Sequence, residues 1–244
     1  MPEGPSIVIL KDAVQQFRGR QVTAAAGNIK VFDAAMLRGK IVTDFKSWGK
    51  HFLICFPGFT IRIHFMLFGS YRVNEHTDRP PRLHLQFGDD ELNFYACSVK
   101  LIDEPLNAVY EWSADVLSPA WSAKNAIKKL KRNPALLVCD ALMDQQLFSG
   151  VGNIIKNEVL FRTRIHPMSQ VGKLPPKKLK ELVSEAVNYS FDFLEWKKEF
   201  TLKNHWLAYN KKSCPRDHIP FERGNTGKSN RRSFYCNVCQ VLYE

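Results

Sequence analysis

Three observations predict an α+β chain. Short alternating apolar runs closed by Pro-Gly and Gly-Asp turns extend to about residue 103, helix-spaced apolar residues follow from Ala123 to Phe200, and a polar tail carries clustered cysteines. Composition changes near Ser118-Pro119, which divides the chain into an N-terminal strand-rich domain (1–117), a helical domain (118–205) and a small metal-dependent tail (206–244). At 244 residues the chain is long enough for one large or two medium cores.

Ile7, Ile9, Leu10, Ala13, Val14 and Phe17 keep the spacing of an amphipathic helix that ends at Gly19. The run 50–56, the Pro57-Gly58 turn and the run 60–65 predict a hairpin. With a three-residue connection Lys50 would lie opposite His64 on one face, whereas a two-residue turn breaks that alignment. Leu83, Leu85 and Phe87, the turn at Gly88-Asp89-Asp90, then Leu92 and Phe94 predict a second hairpin, and strands so spaced suit a sandwich or a barrel. Helices are expected over Ala126–Lys131, over Pro134–Gln145, from Asn153 through Leu160, and within Pro176–Phe200, where Leu179, Leu182, Ala186, Phe191 and Leu194 recur at helical spacing. The last forty or so residues are too polar to bury a core of their own and need a metal to fold.

The formal net charge of +11 is the strongest bulk signal, with basic clusters at 124–132, 177–180 and 231–232. Such an excess favours a polyanion, above all nucleic acid, over a neutral or acidic partner. No apolar run reaches the ~18 residues of a membrane span, and the N-terminus lacks a signal-peptide core. The expectation is a cytoplasmic or nuclear protein with no membrane partner. Of the six cysteines, Cys55, Cys97 and Cys139 sit in apolar surroundings and read as small buried hydrophobes. Cys214 and His218, then Cys236 and Cys239, form two close pairs of soft ligands that suit one closed tetrahedral Zn2+ site of structural type.

Two further stretches carry chemistry. With Met1 removed, Pro2 would present a secondary amine beside the Glu3 carboxylate, a nucleophile whose attack on an aldehyde yields an iminium ion. Taken alone, Glu3 is equally a first-turn acid that complements the helix dipole. Gly150-Val151-Gly152-Asn153, opening a helix, presents backbone N–H groups and an amide side chain to an anion, and it is equally a tight connection between helices.

Together these pieces resemble the formamidopyrimidine-DNA glycosylase/endonuclease VIII family. The matching stretches, in family order, are Pro2–Ser6, Lys50 in Trp48–His51, His64 in His64–Gly69, residues 148–167, Leu207-Ala208-Tyr209, and residues 231–240 with their paired cysteines. The resemblance covers the whole chain. It implies a β-sandwich-like N-terminal domain and a helical domain with a helix-two-turn-helix, flanking a DNA cleft completed by a β-hairpin zinc finger. It further implies that Pro2 is the nucleophile and Glu3 the acid/base, that Lys50, His64, Asn153 and Arg231 contact phosphates, with Lys50 and Arg231 stabilising the departing ones, and that Leu67, flanked by Met66 and Phe68, is the wedge that fills the vacated stack.

The chain departs from the family pattern at several points. Ser6 stands where a second acid is usual, and the first metal pair is Cys-x3-His in place of Cys-x2-Cys. No counterpart of the formamidopyrimidine branch's inserted arginine occurs within 95–101, and Leu67 stands where that branch tends to have Met. These features resemble the endonuclease VIII side. The activity so implied is a monomeric base-excision repair enzyme that removes oxidised bases, pyrimidines favoured, from duplex or opened DNA and cuts the strand by β,δ-elimination. The alternatives are a purine-selective 8-oxoguanine/formamidopyrimidine glycosylase and a zinc-finger protein that only binds DNA.

Overall fold

The computed structural model describes residues 2–244; Met1, whose removal the proline chemistry requires, lies outside them. The chain divides into two compact units, Met1–Tyr110 and Glu111–Glu244.

In the first unit, strands β1 (Ala24–Ala26), β2 (Asp44–Trp48), β3 (His51–Phe56), β4 (Phe59–Val73), β5 (Leu83–Phe87) and β6 (Asp90–Ile102) form one antiparallel sheet in the order β1-β5-β6-β4-β3-β2. The two long strands carry the sheet through a fold. Phe65 pairs with Cys97 and pairing resumes at Ser70 with Tyr95, so residues 66–69 stand opposite Ala96 alone, which adopts φ 46°. A bulge of this kind bends the strand and sharpens its twist. Gly69 sits where a Cβ would approach the Ala96 carbonyl oxygen to 2.9 Å, so the bend needs a residue without a side chain.

The consequence is visible in the core. In a flat ladder Phe52 on β3 and Phe94 on β6 would lie roughly 19 Å apart at ordinary strand spacings. Their ring centroids are 5.9 Å apart, so the sheet closes on itself as a sandwich around Phe45, Phe52, Ile61, Ile63, Leu85 and Phe94. Helix α1 (Gly4–Ala13) and the turn after it close this core with Ile7, Leu10, Val14 and Phe17, all fully or nearly fully buried. A short helix α2 (Leu106–Val109) ends the unit.

The second unit is helical: α3 (Ala123–Lys131), α4 (Val138–Met143), α5 (Asn153–Arg162) and α6 (Pro176–Lys198), followed by a hairpin of β7 (Glu222–Thr226) and β8 (Arg231–Tyr235). Ser122 caps α3 by accepting the Asn125 N–H at 3.2 Å. Helix α4 is shorter than the expected 134–145. The segment before it bonds elsewhere: Val138 N–H reaches Ser169 O, and Val171 N–H reaches Leu136 O, at 2.9 Å each. The tail has no core of its own and shares one with α5. Phe161 of α5 packs with Ala208, Cys214, Phe221 and Cys236. Cys55, Cys97 and Cys139 are buried, as their apolar surroundings suggested. Among the described residues no helix is long and apolar enough to cross a membrane.

Replacing Phe94 by alanine should lower unfolding free energy by about 3–5 kcal/mol, as expected for a large aromatic in a closed core. Urea denaturation followed by tryptophan fluorescence measures this, and a loss below about 1 kcal/mol would contradict a core shared by both layers.

Candidate nucleic-acid interface and metal centre

The N-terminus is held by the start of α1. Pro5 pre-sets helical φ at the first turn, Glu3 is the extended residue preceding it (φ −114°, ψ 173°), and Ser6 N–H donates to Glu3 O at 2.8 Å. Because α1 packs on β2 and β3, the half-buried Pro2 and the fully buried Glu3 are fixed to the sheet through its anchoring side chains.

Lys50 lies in the two-residue Gly49-Lys50 turn between β2 and β3. The β3–β4 connection is also two residues, Pro57-Gly58, since Phe56 pairs with Phe59. His64 consequently pairs with His51 and not with Lys50, so the three-residue alignment is not formed. The same face of the sheet carries Arg62 and Lys100, which pair with each other across β4 and β6. His51 is ringed by aromatics, with Trp48 at 5.6 Å, Tyr110 at 5.7 Å and His64 at 5.3 Å between centroids. Burial, then Arg62, His64, Lys100 and Lys50, pushes its pKa down to about 3. Burial, with Lys50 and Arg62, also lowers His64. The imidazoles are thus neutral donor-acceptors within a cationic face, which suits hydrogen bonding to an anion without adding charge of their own.

The 66–69 bulge lifts its apolar side chains into solvent: Met66 is 56%, Leu67 48% and Phe68 88% exposed. Exposure of three consecutive large apolar residues marks a surface for interaction and not a core.

In the second unit, two successive turns join α4 to α5. Asp144 accepts the N–H of Leu147 and Phe148 through its carbonyl and that of Gln146 through its carboxylate. Gln145 then ties the second turn, donating to Met143 O and Val151 O and accepting Gly150 N–H at 3.1 Å. These bonds set Asn153 at the first turn of α5, where its amide donates to Arg232 O at 3.0 Å. Asn153 is 4% exposed, and its Oδ1 is a buried acceptor with no hydrogen-bond partner. Arg231 opens β8, on the strand that Asn153 grips.

At the tail, one ligand atom each from Cys214, Asp217, Cys236 and Cys239 lie within 4.8 Å of one another. The expected His218 is exposed and stands outside this group. Its backbone, at φ 56°, closes the turn by donating to Cys214 O at 2.9 Å, and the preceding Asp217 carboxylate accepts from the thiols of Cys236 at 3.1 Å and Cys214 at 3.4 Å. Hydrogen bonding from Cys236, then from Cys239 and Cys214, holds Asp217 below the usual carboxylate range. Three thiols and an oxygen or imidazole at this separation suit a tetrahedral divalent cation such as zinc.

Residues 1–97 match the family model for the formamidopyrimidine-DNA glycosylase N-terminal domain, and residues 113–198 match that for its H2TH domain. This chain belongs to the formamidopyrimidine-DNA glycosylase/endonuclease VIII family. It is 36% identical to endonuclease 8-like 2 of Bos taurus over 196 residues, 74% of this chain and 58% of that protein. To endonuclease 8-like 3 of Mus musculus it is 29% identical over 230 residues, 89% of this chain and 38% of the relative. The chain thus spans about half the length of these curated relatives. The crystal structure of a viral DNA glycosylase is similar with a TM-score of 0.84 at 20% identity, covering 98% of this chain and 100% of that one. A Lactococcus lactis formamidopyrimidine-DNA glycosylase bound to AP-site DNA gives 0.85 at 19% identity, covering 98% and 99%. These likenesses show the fold.

Within this family member, sequence reasoning missed the residues that hold the others in place. Gln145 ties the double turn. Glu158, fully buried, accepts the consecutive N–H groups of Leu207, Ala208 and Tyr209 at 2.7–3.1 Å. Glu158 gave a faint signal because a charged residue on a helix normally faces solvent, and Gln145 because it lies in a polar turn.

His51 supplies a pH test. The unfolded chain binds a proton at this side chain below about pH 6.5, whereas the native fold does not until about pH 3. Stability should therefore fall as pH drops through this window, by on the order of a few kcal/mol from this group. A His51→Gln variant should show a flatter decline in urea midpoint between pH 6.5 and 3; an unchanged slope would refute the assignment.

Proposed function

We propose that the chain is a bifunctional DNA glycosylase/AP lyase acting on oxidatively damaged DNA, with oxidised pyrimidines as preferred lesions. The observation that carries the proposal is the anchored Pro2-Glu3 terminus on a sheet whose neighbouring turn and strands present Lys50, His64, Arg62 and Lys100. With Met1 removed, the Pro2 nitrogen attacks the anomeric carbon of the extruded nucleotide, the carbon–base bond breaks, and the base leaves with a proton. Glu3 assists sugar ring opening and the proton transfers. The resulting iminium acidifies the adjacent sugar C–H, and successive β- and δ-elimination release the phosphates on either side.

Lys50, His64, Asn153 and Arg231 serve as the phosphate contacts. Leu67, with Met66 and Phe68, refills the stack, offsetting a few kcal/mol of unstacking. The absence of an inserted arginine within 95–101, and Leu67 where the formamidopyrimidine branch tends to have Met, support the pyrimidine side of the family over the 8-oxoguanine side.

Zinc would be held by Cys214, Cys236 and Cys239, with the fourth ligand from the Asp217-His218 pair. It supplies folding free energy to the hairpin and no catalysis.

Borohydride reduction in the presence of abasic-site DNA should trap a covalent adduct that peptide mass spectrometry maps to Pro2. An uncleaved N-terminal extension, which turns the proline nitrogen into an amide, should reduce trapping by at least about 100-fold. An adduct on an internal lysine, or tight binding with no adduct, would contradict the mechanism.

Elemental analysis should find about one zinc per chain, lost in Cys236→Ser along with hairpin protection from proteolysis. The bonds that seat Asp217 come from protonated thiols, which zinc would convert to thiolates, so the adjacent His218 imidazole is the expected fourth ligand: His218→Ala should lose the metal and Asp217→Asn keep it. The reverse pattern would make Asp217 the fourth ligand.

A further inference from the structure

Helix α5 buries an amine that the proposed chemistry does not use. Lys156 is fully buried and its Nζ donates to Ser233 Oγ at 2.9 Å and to Arg232 O at 3.3 Å. The same Arg232 carbonyl accepts from Asn153 at 3.0 Å and from Asn157 at 3.2 Å, and Asn157 Oδ1 accepts Phe234 N–H at 2.8 Å. Ser233 Oγ continues the chain to Thr226 Oγ1 at 2.6 Å across the hairpin. At the other end of the hairpin turn, the Asp140 carboxylate of α4 accepts the N–H groups of Lys228 and Ser229 at 2.9 Å each. It packs so closely on Gly227 (φ 65°) that a Cβ there would collide with it. Arg231 lies between these two attachments, two residues after Ser229 and one before Arg232. Its backbone is therefore fixed on both flanks by side chains of α4 and α5, and the Lys156 attachment is shared with Asn153.

We propose that Asp140 and Lys156 are positioning residues for DNA binding: they mount the β7–β8 hairpin on α4 and α5 so that Arg231 and Asn153 form one rigid grip on the strand's phosphates. This rests on the reading above that Arg231 and Asn153 contact phosphate. A backbone held at both flanks loses little entropy when its side chain engages an anion, so the gain appears in binding and not only in folding.

The test is a double-mutant cycle on the full chain with zinc bound, reading affinity for a duplex that contains a tetrahydrofuran abasic-site analogue across a salt series. Arg231→Ala should reduce the slope of log affinity against log salt by about 0.9, the value for one lost phosphate contact. Lys156→Met and Asp140→Ala should each weaken binding about 5- to 10-fold and reduce the slope by up to about the same amount, since they misplace that contact. In the Arg231→Ala background both should add little, because the group they position is gone. Asp140 is only half-buried, so its variant carries the test if Lys156→Met fails to fold. If Arg231→Ala lowers the slope while the Asp140 and Lys156 effects are fully additive to it, or confined to thermal stability, the positioning role is overturned alone. An unchanged slope in Arg231→Ala overturns the phosphate reading and this proposal with it.

Discussion

The C-terminal unit depends on the burial of polar side chains along α5. Asn153, Lys156, Asn157 and Glu158 are all buried, and a buried polar group without a partner costs roughly 1–3 kcal/mol. Their partners come from elsewhere in the chain. Lys156 and both asparagines bond the backbone or hydroxyl of β8, and Glu158 gathers three backbone N–H groups at 207–209. The helix can be dry only when the hairpin and the segment before the first metal cysteine are in place. Hence the tail is not an appendage folded by metal alone, and the apolar contact of Phe161 with Phe221 reinforces the same attachment.

In the N-terminal unit a different constraint operates. One face of the sheet is closed into the sandwich by aromatic packing, which leaves the opposite face of β3, β4 and β6 to carry His51, Arg62, His64 and Lys100. Burial, and then the neighbouring cations, destabilises protonated imidazole, so the histidines stay neutral while lysine and arginine carry the charge. The bulge that folds the sheet also exposes Met66, Leu67 and Phe68. A single departure from regular pairing therefore shapes the core and displays the candidate wedge.

Much of the architecture was legible because its signals are local. Alternating apolar residues with Pro57-Gly58 marked the β3–β4 hairpin, helical spacing marked α6, and paired cysteines marked the metal end. Register was less accessible: a one-residue difference in the turn decided that His64 faces His51 and not Lys50, and no composition rule settles turn length. Periodicity also failed to show the nature of α5, because a helix enclosed on all sides has no solvent-facing stripe to contrast with its core.

The sequence by itself determined the order of strands, helices and metal tail, the excess of positive charge, and the clustering of three thiols at the tail, all of which follow from side-chain chemistry and from spacings of a few residues. The candidate nucleophile and phosphate contacts are what its resemblance to the family implies. Only the tertiary structure decided that the sheet folds at residues 66–69, that the Asp217 carboxylate and not the His218 imidazole sits with the three thiols, and that Asp140 and Lys156 hold the hairpin bearing Arg231. Each of those is a contact between positions separated by tens of residues or a choice between adjacent side chains at a turn, and such outcomes depend on which partner burial leaves within hydrogen-bond reach.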